Sequence, residues 1–257
     1  MTSSADSVLG QNAYLLHSRP YRETSALIDL LTPEFGRVRG VLKGVRQPRS
    51  RKRELLRSFQ PLSVSWRGRG ELKTIQDGEG VGLAHPLAGR SLWCGLYLNE
   101  LLVRLLPADE PYPRVFALYR FSLEQLGDLE TEEAVLRMFE VRLLEELGFG
   151  VSFTHDLAGM PIDPAQQYCF DPAAGFNPLP AGDATGAIPG AVIMAVGGDD
   201  YADPQVRRVA KGLMRRALAV HLGGRPLRSR SLFQTSALAA VPEQRLGSGG
   251  GAPEELS

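Results

Sequence analysis

Over the first 80 residues apolar and polar side chains alternate in short runs, each closed by Pro, Gly or charged turn residues. That period predicts strands. "NAYLLHS" at 12–18 runs into the polar turn "RPYRET", and "SALIDLLT" at 25–32 stops at "PEFG". "RVRGVLKG" at 37–44, "PLSVSWRG" at 61–68 and "ELKTIQD" at 71–77 complete five strands, with a short helix over 51–59 between the third and fourth. Five strands with one helix in that position is the element order of an OB-fold barrel.

From about residue 91 the repeat lengthens to that of a helix. "SLWCGLYLNELLVRLLP" is apolar on most sides, as a central buried helix is, with Ser91 as its expected N-cap and Pro107 as its stop. "RVFALYRFSLEQLG" follows Pro113 and ends at Gly127. In "TEEAVLRMFEVRLLEELG" Thr131 is placed to cap, and Glu132 and Glu133 suit the positive end of the dipole. Leu136, Phe139, Leu143 and Leu147 share one face up to Gly148. Residues 149–200 are rich in Gly, Pro, Ala and Asp; only "QYCFDPAAGFNPL" reads as two short strands around a turn. A last helix opens with Asp203 and Pro204 and turns Val206, Val209, Leu213, Ala217 and Val220 inward. The prediction is an α+β chain. An N-terminal barrel covers 1–80, a mainly helical domain covers 81–240 with an irregular insert at 149–200, and a disordered tail covers 241–257.

Charge changes the picture. The chain has 29 basic and 29 acidic side chains and is formally neutral. Residues 1–85 nevertheless carry 14 basic against 8 acidic, 86–206 carry 6 against 18, and 207–257 carry 9 against 3. Charges more than about 8–10 Å apart are screened from one another at ordinary salt. Either basic end can therefore attract a polyanion although the sum is nil. No run reaches the ~20 apolar residues of a membrane span, and the first residues lack the basic and apolar regions of a signal peptide. Cys94 and Cys169 stand far apart without metal-ligating neighbours. These features point to a cytoplasmic protein with free thiols and no membrane partner.

The basic excess is concentrated between residues 36 and 60, which hold nine Lys or Arg and one Glu. Arg37, Arg39 and Lys43 have the same parity, so on a strand they form a cationic row roughly 6.6–6.8 Å apart per alternate step, while Val38 and Leu42 face the other way. Arg46, Arg49, Arg51, Lys52, Arg53 and Arg57 extend the row. Three cations in the first turn of a helix near Arg51 would each cost about 0.3–1 kcal/mol against the dipole. Folding alone would not select that arrangement, whereas a polyanion would offset it. A solvated loop is the alternative for this segment taken alone. A second cluster places Arg208, Lys211 and Arg215 on one helical face, within a stretch from 204 to 242 that has no acid. Trp66 and Tyr14 share parity with core positions, which leaves Tyr21 and Phe35, in turns, as the aromatics free to stack on bases.

Catalytic constellations are missing. His17, His85, His155 and His221 are isolated, "GEGVG" at 78–82 has the wrong spacing for a dinucleotide loop, and no nucleophile elbow occurs. No catalytic residue, metal ligand or cofactor is expected.

At "LLHSRPYRETSALIDLLTPEFGRVRGVLKGVR" the chain resembles the bacterial recombination mediator family RecO. "GRGELKTI", "SLWCGLYLNELLVRLLP", "LRMFEVRLLEELGFGVSF" and "LGGRPLRSRSLFQ" agree, in order, over nearly the whole length. The resemblance implies an OB-fold followed by a helical domain, binding of single- and double-stranded DNA, and annealing of complementary strands. It also implies contact with the acidic C-terminal tail of single-strand-binding protein, and work with RecR in loading RecA at gaps and breaks, in the cytoplasm at the nucleoid. No hydrolysis or nucleotide is implied. Many relatives hold zinc with four cysteines after the helices. This chain keeps only Cys169 there, and a structural zinc takes four ligands, so the hairpin region should be zinc-less and held by packing alone. A tail carboxylate suits an apolar pocket rimmed by Arg, and Arg137 in "LRMFE" is the first choice. A pair with Glu140 is its structural alternative, and Met138 stands where many relatives place a second basic residue. Two other functions stay open: a scaffold for protein tails, and an RNA-binding OB-fold protein without annealing activity.

Overall fold

The computed structural model describes residues 7–128, 131–180 and 186–233. Five strands close a barrel in the order β1-β2-β3-β5-β4. They are β1 (Ser7–Tyr21), β2 (Ser25–Thr32), β3 (Gly36–Leu42), β4 (Pro61–Arg67) and β5 (Leu72–Gly80), with a 3-10 helix over Arg51–Leu56 between β3 and β4. Only the β3–β5 pairing is parallel. The 15-residue β1 is twice the predicted length because it pairs with β4 along its first half and with β2 along its second, which seals the barrel. Alternation then fills the interior with Ala13, Leu15, Ile28, Leu30, Val38, Leu42, Leu62, Val64, Trp66 and Ile75.

The helical part consists of α1 (Gly89–Leu105), α2 (Pro113–Gln125), α3 (Glu132–Glu146), α4 (Gly190–Gly197) and α5 (Pro204–His221). A small sheet, β7-β6-β8, is inserted between α3 and α4 and built from β6 (Gln167–Asp171), β7 (Gly175–Pro178) and β8 (Ile188–Pro189). Barrel and helices share one apolar layer. Residues 13–16 are all buried: Ala13 and Leu15 point into the barrel, whereas Tyr14 and Leu16 pack beneath Tyr97, Leu101 and Tyr119. Tyr14 meets Tyr119 edge-on at 5.3 Å between ring centres.

The loop after α1 fixes the junction. Asp109 N–H donates to the Arg37 carbonyl at 3.0 Å, and Lys73 Nζ pairs with the Asp109 carboxylate at 3.0 Å. Gly36 has φ +59, and a Cβ added there would lie 1.6 Å from the Glu110 carbonyl oxygen, so only glycine admits this approach.

Several sequence expectations are corrected. Ser91 is not the α1 cap; Ala88 is, and the Ser91 hydroxyl donates to buried Glu132 at 2.8 Å instead. Thr131 does stand at the α3 N-cap position, but its side chain makes no cap bond, because its hydroxyl is turned back to the carbonyls of Gln125 and Asp128. On α5 the Asp203 carboxylate does cap, accepting from Gln205 N–H at 2.7 Å, but Val220 is exposed and Ala210, Met214 and Leu218 are inward. Helix α4 lies within the stretch read as irregular. The hairpin is not held by packing alone: the Arg216 guanidinium lies 5.1 Å over the Phe170 ring and donates to the Phe170 carbonyl. The expected tail at 241–257 lies outside the described residues.

Candidate nucleic-acid interface

The outer face of the barrel can be read row by row from the register. His17, Asp29, Arg39 and Leu72 lie side by side on β1, β2, β3 and β5. The next row is Arg19, Leu27, Val41, Thr74 and Arg67. Paired residues project to the same side of a sheet, so Leu27, Val41 and the exposed Leu72 floor a strip that Arg19, Arg39 and Arg67 border. Arg39 makes one contact, 3.5 Å to Asp29, and its side chain is 45 % exposed. Such a loose surface pair is worth little and leaves the guanidinium available.

The three-residue row expected on β3 is divided. Arg37 has the predicted outward parity, but the outside of the barrel at that point is covered by the helices. Its guanidinium donates to the Val103 carbonyl on α1, and burial pulls its pKa below the usual arginine value. It is a cation of the domain junction. Lys43 falls one residue beyond β3, in the turn that follows, and is exposed.

The loop and 3-10 helix hold the remaining cations of this segment. Arg46 is exposed yet fastens the β1–β2 turn, donating to the carbonyls of Arg22 and Glu23 at 3.3 Å each. Lys52 reaches the Gln76 carbonyl on β5 at 3.1 Å. Arg49, Arg51, Arg53 and Arg57 are exposed and, with Lys43, make no side-chain hydrogen bond or ion pair among the described residues. Gln47, Pro48, Arg49 and Ser50 line a shallow open depression beside them.

On α5, Arg208, Lys211 and Arg215 lie on the exposed face; Lys211 reaches Glu133 at 3.7 Å. Arg207 is tied to the carbonyls of Tyr201 and Ala202, so it belongs to the helix start. Helix α5 packs on α3 and α4, whereas the barrel packs on α1 and α2. The two basic patches are thus carried by different layers.

Arg137 is 8 % exposed and pairs with Glu140 at 2.8 Å. Glu140 is fully buried and also accepts from the Tyr97 hydroxyl; burial raises its pKa against the opposing pull of Arg137. Phe35, expected to be free, instead meets Trp66 edge-on inside the barrel end, with ring centres 5.3 Å apart. Arg19 and Arg67 were missed from the sequence: Arg67 follows inward Trp66, so its outward parity was an available signal, whereas Arg19 falls in a stretch that reads as a turn and that β1 extends through.

The family model described as Recombination protein O N terminal matches residues 8–84, the barrel. Its C-terminal counterpart matches residues 88–189. The chain belongs to the RecO family. A protein named DNA repair protein RecO from Pseudomonas aeruginosa is 48% identical over 223 residues, covering 87% of this chain and 94% of the relative. The RecO proteins of Methylococcus capsulatus, 44% identical over 230 residues, and Cellvibrio japonicus, 45% over 228, are similar along 94% and 95% of their lengths and 89% and 87% of this chain. RecO membership assigns the chain to DNA repair and recombination as a DNA-binding protein, with its OB-fold barrel N-terminal. The RecO C-terminal match ends at residue 189, so the cations of α5 lie beyond it. No described helix is long and apolar enough to cross a membrane.

Proposed function

We propose that this chain anneals complementary single strands of DNA, takes hold of the acidic C-terminal tail of single-strand-binding protein, and works with RecR in loading RecA at gaps and breaks. It acts in the cytoplasm, at the nucleoid, and catalyses no bond-breaking step. The observation that supports annealing best is the group of five unpaired cations, Lys43, Arg49, Arg51, Arg53 and Arg57, beside a face bordered by Arg19, Arg39 and Arg67. Two strands repel through their phosphates; cations that replace the condensed counterions lower that repulsion and release ions to solution. Duplex DNA offers the same phosphates and binds the same patch, with Arg208, Lys211 and Arg215 as a second contact.

Tail capture belongs to the helical domain. An incoming carboxylate that uses Arg137 must displace Glu140, so the pair acts as a closed latch on that contact. Annealing of labelled complementary oligonucleotides in dilute buffer, bare and coated with single-strand-binding protein, tests the whole reading. The native chain should anneal both, and Arg137→Gln should lose only the coated pair. No annealing of bare strands by the native chain would overturn the proposal in favour of a tail-binding scaffold. Stronger binding of an RNA oligomer than of its DNA equivalent would favour an RNA-binding role.

A further inference from the structure

We propose that Tyr21 is a base-stacking subsite at the rim of the barrel face, giving the interface a preference for unpaired strands. The inference rests on the DNA-binding role and adds a contact that charge does not supply. Five aromatic residues stand on or beside the strands: Tyr14, Phe59 and Trp66 are buried, and Phe35 is closed off by Trp66. Tyr21 alone of these is left on the outside, at the end of β1 and half-exposed. Its register partner is Ser25, while Arg19 pairs with Leu27 and His17 with Asp29, so Tyr21 continues the outward line one alternate step beyond Arg19. A strand whose phosphate meets Arg19 would bring a base over that ring.

The turn around it is held in place. Arg22 has φ 52, a left-handed conformation that strains a non-glycine residue. Its guanidinium carbon sits 5.2 Å from the centre of the Tyr21 ring. Arg46 secures the same turn with two side-chain hydrogen bonds, at 3.3 Å each, and with its own N–H to the Thr24 carbonyl at 2.9 Å. A held ring with a cation over one face is a platform for a base on the other, and any base can stack there because every base has a π-face. In a duplex those faces are already covered, so only single strands gain.

Fluorescence anisotropy with three probes tests this: a labelled oligothymidylate, the same backbone carrying abasic sugars, and a duplex. Tyr21→Ala should weaken the oligothymidylate about 5- to 100-fold while leaving the abasic strand, the duplex and the salt slope unchanged. Tyr21→Phe should bind like the native chain, and Tyr21→Leu, which keeps bulk without a π-face, should behave like Tyr21→Ala. Equal loss on all three probes would make Tyr21 a turn-forming residue only, and no loss on oligothymidylate would equally overturn the proposal. A native chain that binds none of the probes would defeat the DNA reading itself, a result distinct from either.

Discussion

The five unpaired cations of the 43–57 segment make a quantitative prediction about salt. Each cation placed on a phosphate releases condensed counterions, so log K falls against log salt by ~0.7 per contact for single strands. With Lys43, Arg49, Arg51, Arg53 and Arg57 all engaged, they supply about 3.5 of the slope. Raising salt fourfold should then weaken binding by about 100-fold through these residues alone. Replacing all five with Ser should flatten the slope by that amount, and each single replacement by ~0.7. The side chains support nothing in the fold, so melting of the variant should match the native chain. Arg37→Gln is the control: its guanidinium serves the Val103 carbonyl, so it should lower stability and leave the slope alone. Anisotropy titrations over a salt series would read both. A soluble five-site variant with the native slope would refute the assignment of phosphate contacts to this segment.

Three further outcomes follow from the packing. Gly36→Ala forces a Cβ into the Glu110 carbonyl at positive φ, and should destabilise the chain by about 2–4 kcal/mol in denaturant unfolding; an unchanged midpoint would mean the loop after α1 does not rest on β3. Burial opposes ionisation of Glu100, but hydrogen bonds from the Ser229 hydroxyl and the N–H groups of Ser229 and Arg228 hold its pKa below the usual carboxylate value. A depressed folded pKa gives stability above the unfolded value of about 4.3 that is lost as pH falls through the folded one. Glu100→Gln should therefore cost about 1 kcal/mol near neutrality and converge with the native chain in acid; a pH-independent difference would remove the ionised carboxylate from the account. Burial pushes the Cys94 thiol up to about 12, while Cys169 is half-exposed. A thiol reagent at pH ~8 should thus titrate one group rapidly and the second only on unfolding, and fast reaction of both would show the α1 core to be open.

The barrel was legible because its signals are local. Period-2 alternation and Pro/Gly turns place all five strands, and Ser25–Thr32 is matched to the residue. Parity separated Val38 and Leu42 from Arg39 correctly, since the barrel interior imposes it. What parity cannot know is which part of an outer face another layer covers. Arg37 and Tyr14 are both outward on their strands and both lie under helices. For the same reason Ser91 and Thr131 carry capping side chains that long-range or backward bonds claim first. Helix α4 escaped notice because its eight residues, GAVIMAVG, are apolar on every side and so have no period. Arg216 shows the limit from another direction: one of eight cations in the acid-free stretch from 204 to 242, it is bound to Phe170 of a hairpin 46 residues away in sequence.

Why the two charge excesses do not neutralise each other is answered by where the acids go. Five carboxylates of the acidic stretch pair within it, Glu132 with Arg90, Glu140 with Arg137, Glu145 and Asp199 with Arg142, and Glu146 with Arg114, while Glu133 also reaches Lys211 on α5 at 3.7 Å. The ion pair of Lys73 with Asp109 crosses from barrel to helical part. The cations Lys43, Arg49, Arg51, Arg53 and Arg57 therefore have no ion-pair partner among the described residues, and a polyanion that binds them in the native state should stabilise that state by mass action. A single-stranded oligonucleotide at a hundredfold excess over its Kd should add about 2.7 kcal/mol, raising the melting temperature by ~5–10 °C for a chain of this size. The five-site Ser variant should melt like the native chain in the absence of DNA, gain much less from the same oligonucleotide, and lose that gain less steeply with salt. A native melting temperature unmoved by saturating oligonucleotide would mean that the segregated charge is not relieved by nucleic acid.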